Sequence, residues 1–307
     1  MNRKNTVSFV LGLFVSCAAM LATSDARSAP GPTGTTGFAS VYGNVPADQA
    51  EFLSSPDHIQ SIAANGGATA VWETLEHGEV VECLDCIAAV EPLLYDQTSA
   101  KTREIAAWWL RRRSLGVFGP GETYTRVLST LQSDPDPQRR AYAASALGEF
   151  LAMPGIAACA TALGADTDPG VRAAAASALG RLNDDGSGAL AKALGDSDAG
   201  VKTAALGAAG RINSFTGVAS VSALVGDASP VVRRRTVEIL DELVAKDAVA
   251  SVLALAKSDS DVNVRIAACH ALGNFGDVSA QPTLQFIAAN DASSLVRDQA
   301  TIALLRL

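Results

Sequence analysis

Apolar residues recur along most of this chain at helical spacing. Val171, Ala175, Ala178 and Leu179 fall four, three and one apart, which places them on one side of a helix. The segment before them carries a second, shorter stripe, Ile156, Cys159 and Leu163. Comparable short stripes appear at Val127, Leu128 and Leu131, at Val218, Val221 and Leu224, and at Val249, Val252 and Leu253. A capped helix follows each short stripe. Asp136, Asp168 and Ser229 are good N-cap residues, and each precedes a proline at the first helical position, where the missing N–H costs nothing. The pattern predicts a unit of helix, turn, capped helix, turn.

That unit repeats in register. Asp136-Pro-Gln-Arg-Arg-Ala-Tyr-Ala-Ala-Ser-Ala-Leu-Gly148 aligns with Asp168-Pro-Gly-Val-Arg-Ala-Ala-Ala-Ala-Ser-Ala-Leu-Gly180. Asp198-Ala-Gly-Val-Lys through Gly210 and Asp261-Val-Asn-Val-Arg through Gly273 follow, with degenerate copies from Ser229 and Ser293 and a divergent one from Ser99. Their basic residues are Arg103, Arg140, Arg172, Lys202, Arg233, Arg265 and Arg297, about 31 residues apart after a longer first gap. A fixed period of this length is the mark of a repeat architecture.

The signature D-x-x-V-R-x-x-A-A-x-A-L-G resembles the HEAT-repeat family, in particular its short PBS-lyase type, over residues 79–307. The resemblance implies an all-α protein, an α-solenoid of about seven helical pairs whose second helices line a concave face. It also implies a ladder between repeats made by the signature's acidic and basic residues: Asp136, Arg140, Asp168, Arg172, Asp198, Lys202, Arg233, Asp261, Arg265 and Arg297. Physical chemistry supports a partner for each cation, because a positive charge in a helix's first turn opposes the macrodipole. Residues 51–78 read as an N-terminal helical cap, with Ser55-Pro56-Asp57 opening one helix, Gly66-Gly67 ending it, and Trp72 and Leu75 on the next.

The beginning of the chain has a different character. Arg3 and Lys4 precede an apolar run from Val7 to Ala22, and Ser24-Asp25-Ala26 fits the small-x-small rule for cleavage. Residues 1–26 therefore read as a signal peptide and 27–50 as a flexible lead-in. Export to the periplasm or cell envelope follows, with no transmembrane span in the mature chain. Cys17 could mark a lipoprotein, but Phe14 stands where that pattern prefers Leu.

Composition narrows the function. With 24 Lys and Arg against 32 Asp and Glu, the net charge is −8, which argues against a nucleic-acid partner. Aromatic residues are only 5% of the chain, so the packed layers are thin. The longer gap after Arg103 marks an insertion near 116–121, and Trp108 with Arg112 just before it forms a candidate partner anchor. Buried tryptophans beside C-terminal arginines are the competing reading.

Few residues suggest catalysis. Cys83 and Cys86 sit on a predicted helix from 79 to 95, at a spacing that allows a disulfide, a reduced buried pair, a redox pair or half a zinc site. No second pair of metal ligands accompanies them, and export favours the disulfide. Cys159 and Cys269 read as small core residues. The residues after the three histidines are Ile59, Gly78 and Ala271, so the His-Glu di-iron motif of deoxyhypusine hydroxylase is missing. The expectation is a non-enzymatic protein without metal or cofactor.

A variable column on the second helices, at the position of His270, includes Ser145, Ser177, Gly207, Glu238 and Ile302, and four residues on lie Glu149, Arg181, Arg211, Glu242 and Asn274. The expected binding residues are Trp108, Arg112, Glu149, Arg181, Arg211, Glu238 and His270, meeting a protein or peptide partner. Two alternatives stand beside this scaffold: a chromophore- or thiol-handling protein using Cys83 and Cys86, and a structural envelope component. Leu304, Leu305 and Leu307 would allow self-association through the C-terminal end.

Overall fold

The computed structural model describes residues 55–78, 83–116 and 119–307, without the side chains of 112–120. All of these fall within the unit Phe38–Leu307. The expected signal peptide, the lead-in and the first residues of the cap lie outside the described residues.

The described residues form an all-α solenoid. Helices α1 (Pro56–Asn65) and α2 (Ala68–Gly78) make the first pair. Ser55 caps α1 by accepting the His58 N–H, and Gly66 closes it with its N–H on the Ile62 carbonyl. Seven further pairs follow. The first joins α3 (Ile87–Val90), continued by a 3₁₀ turn over Glu91–Tyr95, to α4 (Ala100–Ser114). The next three are α5 (Glu122–Ser133) with α6 (Pro137–Phe150), α7 (Pro154–Ala165) with α8 (Pro169–Arg181), and α9 (Ala189–Ala193) with α10 (Ala199–Arg211). The last three are α11 (Val218–Ser222) with α12 (Pro230–Glu242), α13 (Val249–Ser258) with α14 (Val262–Phe275), and α15 (Gln281–Asn290) with α16 (Ser294–Leu304). No described helix is long and apolar enough to cross a membrane.

Each second helix packs on the second helix before and after it, giving one continuous layer from α4 to α16, and the first helices form the other layer. Val171, Ala175, Ala176, Ala178, Leu179 and Gly180 are all buried on α8. Burying a valine or leucine this way contributes about 1.5–3 kcal/mol. Alanines contribute less, but they let helix axes approach. The recurring glycine sets that approach: a Cβ on Gly180 would stand 2.8 Å from the Ala208 Cα of the next repeat. Gly148 meets Ala178, and Gly273 meets Ala303, in the same way.

Two local expectations need correction. Cys83 and Cys86 do not lie on a helix: Cys83 is in coil, a turn covers 84–86, and α3 starts only at Ile87. Ser229 occupies the N-cap position of α12, but its side chain makes no capping bond. The insertion near 116–121 closes as a two-residue antiparallel ribbon, Leu115 opposite Pro120 and Gly116 opposite Gly119.

Candidate functional site

A ladder runs between consecutive repeats, and its acidic members are not the expected ones. Asp136, Asp168, Asp198 and Asp261 spend their side chains as N-caps, accepting backbone N–H groups at the start of α6, α8, α10 and α14. The rungs use the aspartate two residues earlier in each following repeat. Arg140 pairs with Asp166, Arg172 with Asp196, Lys202 with Asp227, Arg233 with Asp259 and Arg265 with Asp291, at 2.5–2.8 Å. A short carboxylate cannot hold a helix's first turn and also reach a guanidinium on the previous repeat, so the two tasks fall to different residues.

Each rung is bidentate where the cation is arginine. In the Arg172 rung, Nε and Nη2 donate to the two Asp196 oxygens, and Nη1 donates back to the Asp166 carbonyl at 3.0 Å. The Asp196 carboxylate also accepts the Asp198 N–H, at 2.8 Å. These donors hold the Asp196 carboxyl below the usual carboxylate range, the Arg172 hydrogen bonds first among them. Arg297 donates to the Asp291 and Ala292 carbonyls. The ladder cations are thus largely occupied by the protein itself.

The other predicted residues fall on the second-helix surface. Trp108 is half-buried against the core, whereas its neighbour Trp109 is fully buried. Arg112 belongs to α4, but its side chain lies outside the described residues. Glu149 and Arg181 form an ion pair between α6 and α8. Arg211 is exposed at the same position of α10. Glu238 bonds Arg234 at 3.3 Å and Arg235 at 3.0 Å, and Arg235 also reaches Glu242 at 3.4 Å.

His270 is drawn into a network that the repeat pattern does not announce. Asp241 accepts from Asn274 at 2.8 Å and lies 3.1 Å from the His270 Nδ1, while Arg306 donates to Asn274. Asp241 stands in the column that is glycine in four other repeats. That exception was the available signal: a carboxylate placed where a close helix approach is the rule.

Two grooves open along this layer. One, of about 210 Å³, is lined among others by Arg103, Tyr142, Ser145, Glu149, Ser177 and Arg181. The other, of about 480 Å³, takes in Arg234, Arg235, Glu238, Asp241, Glu242 and His270. The predicted residues therefore do not meet at one point. Glu149 and Arg181 line the first groove, Glu238 and His270 the second, and Arg211 lies at the register position between them.

Cys83 and Cys86 are joined by a disulfide, and both are buried, at 1% and 0% exposure. The Cys86 N–H donates to the Cys83 sulfur at 3.1 Å. Cys159 and Cys269 are free and buried, and burial pushes both thiols up to about 12. No group of three or more His, Cys, Asp or Glu able to hold a metal occurs among the described residues. At the C-terminal end, Leu305 is exposed, whereas Leu304 and Leu307 pack partly against the core.

Comparison with known proteins identifies the architecture. The HEAT-repeat family model matches residues 125–210 and 218–305, more than half of the chain. The chain belongs to the HEAT-repeat family. The solved structure of YibA from Escherichia coli is similar with a TM-score of 0.57 at 18% identity, over 85% of this chain and 95% of that one. Kap95p, from its complex with RanGDP, gives a TM-score of 0.58 at 15% identity, over 83% of this chain but only 40% of Kap95p. At such identities the likeness concerns the fold alone. Comparison with curated proteins gives no match.

Proposed function

We propose that this protein is an exported, non-enzymatic scaffold that binds a protein or peptide partner along the concave face formed by its second helices. One observation carries the reading: the ladder repeats almost unchanged, while the register position of His270 on the same helices varies in size and charge along the chain. Trp108, Ser145, Ser177, Gly207, Glu238 and His270 occupy equivalent sites. A solenoid needs the ladder to stack, but nothing in stacking requires side chains as unlike as tryptophan, serine, glycine, glutamate and histidine in this column. A row of differing side chains on a rigid frame suits recognition of an extended partner through many weak contacts.

Export rests on the N-terminal charge and apolar pattern, and the Cys83–Cys86 disulfide supports an oxidising compartment. Assignment to the PBS-lyase type rests on the repeat motif. The thiol-handling alternative gains little support, because neither sulfur of the pair is exposed to an incoming substrate.

The test is affinity capture from an envelope fraction with the immobilised mature chain, followed by Arg211→Glu, Glu238→Arg and His270→Ala. Loss of the captured partner with these variants supports the reading. Unchanged capture by all three rejects it.

A further inference from the structure

The first rung of the ladder is rewired. One period after Arg103, the expected rung carboxylate is Asp134, but Arg139 takes it at 2.9 Å. The Arg139 guanidinium in turn lies over the Tyr95 ring, 4.2 Å from its centroid. Arg103 is displaced onto the Tyr142 ring, with its Cζ 4.0 Å from the centroid. Its Nη1 donates to the Asp96 carbonyl at 2.5 Å. Its Nε and Nη2, the two groups that grip a carboxylate in the four arginine rungs, make no hydrogen bond among the described residues.

We propose that Arg103, stacked on Tyr142 in the groove between α4 and α8, is a carboxylate-binding site that receives an acidic side chain of an extended peptide partner. The inference rests on the reading of the second-helix face as a binding surface and names the chemistry of one of its contacts. The partner's carboxylate would supply in trans what a following repeat supplies elsewhere in cis.

Three features argue for this occupant. A planar guanidinium whose face is covered by an aromatic ring keeps its edge free, and that edge matches a carboxylate bidentately. The groove holds about 210 Å³, room for a side chain and not for a folded domain. Its other arginine, Arg181, is already paired with Glu149. By contrast, both arginines of the larger groove are committed to Glu238 and Glu242. Glu104 also lines the smaller groove. Its charge is a repulsion that the Arg103 fork has to outweigh, and a partner segment with several adjacent acids would meet more of it.

The probe is the pentapeptide Ala-Ala-Glu-Ala-Ala, amidated at its C-terminus and labelled with an uncharged boron-dipyrromethene dye, compared with its Gln and Lys counterparts by anisotropy on the full mature chain. The account predicts saturable binding of the Glu peptide, at least tenfold tighter than the Gln peptide and weakening with salt. Arg103→Gln should abolish that preference. Arg103→Lys keeps the charge but not the fork and should lose at least fivefold. Thermal melting of each variant separates lost binding from lost folding, and Arg172→Gln controls for a broken structural rung. Glu and Gln peptides bound equally, or a Glu preference that survives in folded Arg103→Lys and Arg103→Gln, would overturn the proposal. No Glu-peptide binding at all would also overturn it, while the wider surface would stand if the Glu238 and His270 variants still lose the captured partner.

Discussion

Arg172 grips Asp196 of the next repeat through both carboxylate oxygens, at 2.8 and 2.9 Å, while its third nitrogen turns back to the Asp166 carbonyl. One guanidinium thus ties the turn within one helix pair to the corresponding turn of the next. The same geometry recurs at Arg140, Arg233 and Arg265.

The ladder makes stability depend on acid. Hydrogen bonds from arginine, first among several causes, hold Asp166, Asp196, Asp259 and Asp291 below the usual carboxylate range. A carboxyl whose folded pKa lies below its unfolded value stabilises the fold above that unfolded value, near 3.9, and loses the contribution as pH falls through the folded one. The melting temperature should therefore change little between about pH 7 and 5 and drop steeply below about pH 4. Asp196→Asn keeps the turn but loses the charged rung, and should cost about 1–3 kcal/mol at neutral pH. Its deficit should shrink in acid. A deficit of equal size at pH 3 and pH 7 would show that this carboxylate is not the titrating group.

The glycine column yields a paired prediction. Gly180→Ala places a methyl 2.8 Å from the Ala208 Cα, so the helices must separate, at a cost of about 1–3 kcal/mol. Gly164, also helical, has open space around it, with nothing within 4 Å of where a Cβ would stand, and Gly164→Ala should stabilise by up to about 1 kcal/mol. Urea unfolding of the two variants checks the opposite signs.

Val244 just beyond α12 is strained. Its φ is 51°, in the left-handed region, where a β-branched residue is unfavourable. Equivalent positions hold Asn183 and Gly276, also with positive φ. The backbone there ends the helix, with the Ala245 N–H on the Leu240 carbonyl at 2.9 Å. Val244→Gly should raise stability by about 0.5–1 kcal/mol in thermal melts, because 59% exposure means little packing is lost.

The cysteines should prove inert in the native state. Burial pushes the Cys159 and Cys269 thiols up to about 12, leaving little thiolate to react. Iodoacetamide at pH 8 should label neither until the chain is unfolded, when mass spectrometry of the protein starting at Arg27, and so lacking Cys17, should show two added groups. With Cys83 and Cys86 joined, no further label should appear without reductant. Rapid native labelling at either pair would contradict this arrangement.

Much of the architecture was legible because its causes are periodic. Caps at Asp136, Asp168, Asp198 and Asp261, prolines after some of them, and glycines at the close approaches all recur in register. The rung acids recur even more regularly: Asp134, Asp166, Asp196, Asp227, Asp259 and Asp291 each stand six residues before a ladder cation. The N-cap aspartate, the more prominent member of the motif, masks them. What periodicity hides is the exception. Asp134 satisfies Arg139 rather than Arg103, and Asp241 replaces a glycine to reach His270. The first is a local pair five residues apart that breaks the register, and the second joins side chains of neighbouring repeats, which no single repeat's spacing reveals.

The central claim is that partner recognition lies on the second-helix face. The most direct measurement is the affinity of the captured partner for a set of folded variants on opposite layers. Glu149→Ala, Arg211→Ala, Glu238→Ala and His270→Ala test the second helices, with Gln132→Ala and Thr161→Ala on the first helices as controls. The account predicts that affinity falls at least tenfold across the second-helix set and stays within twofold for the controls. Equal affinity throughout the first set, or losses confined to the controls, would contradict it.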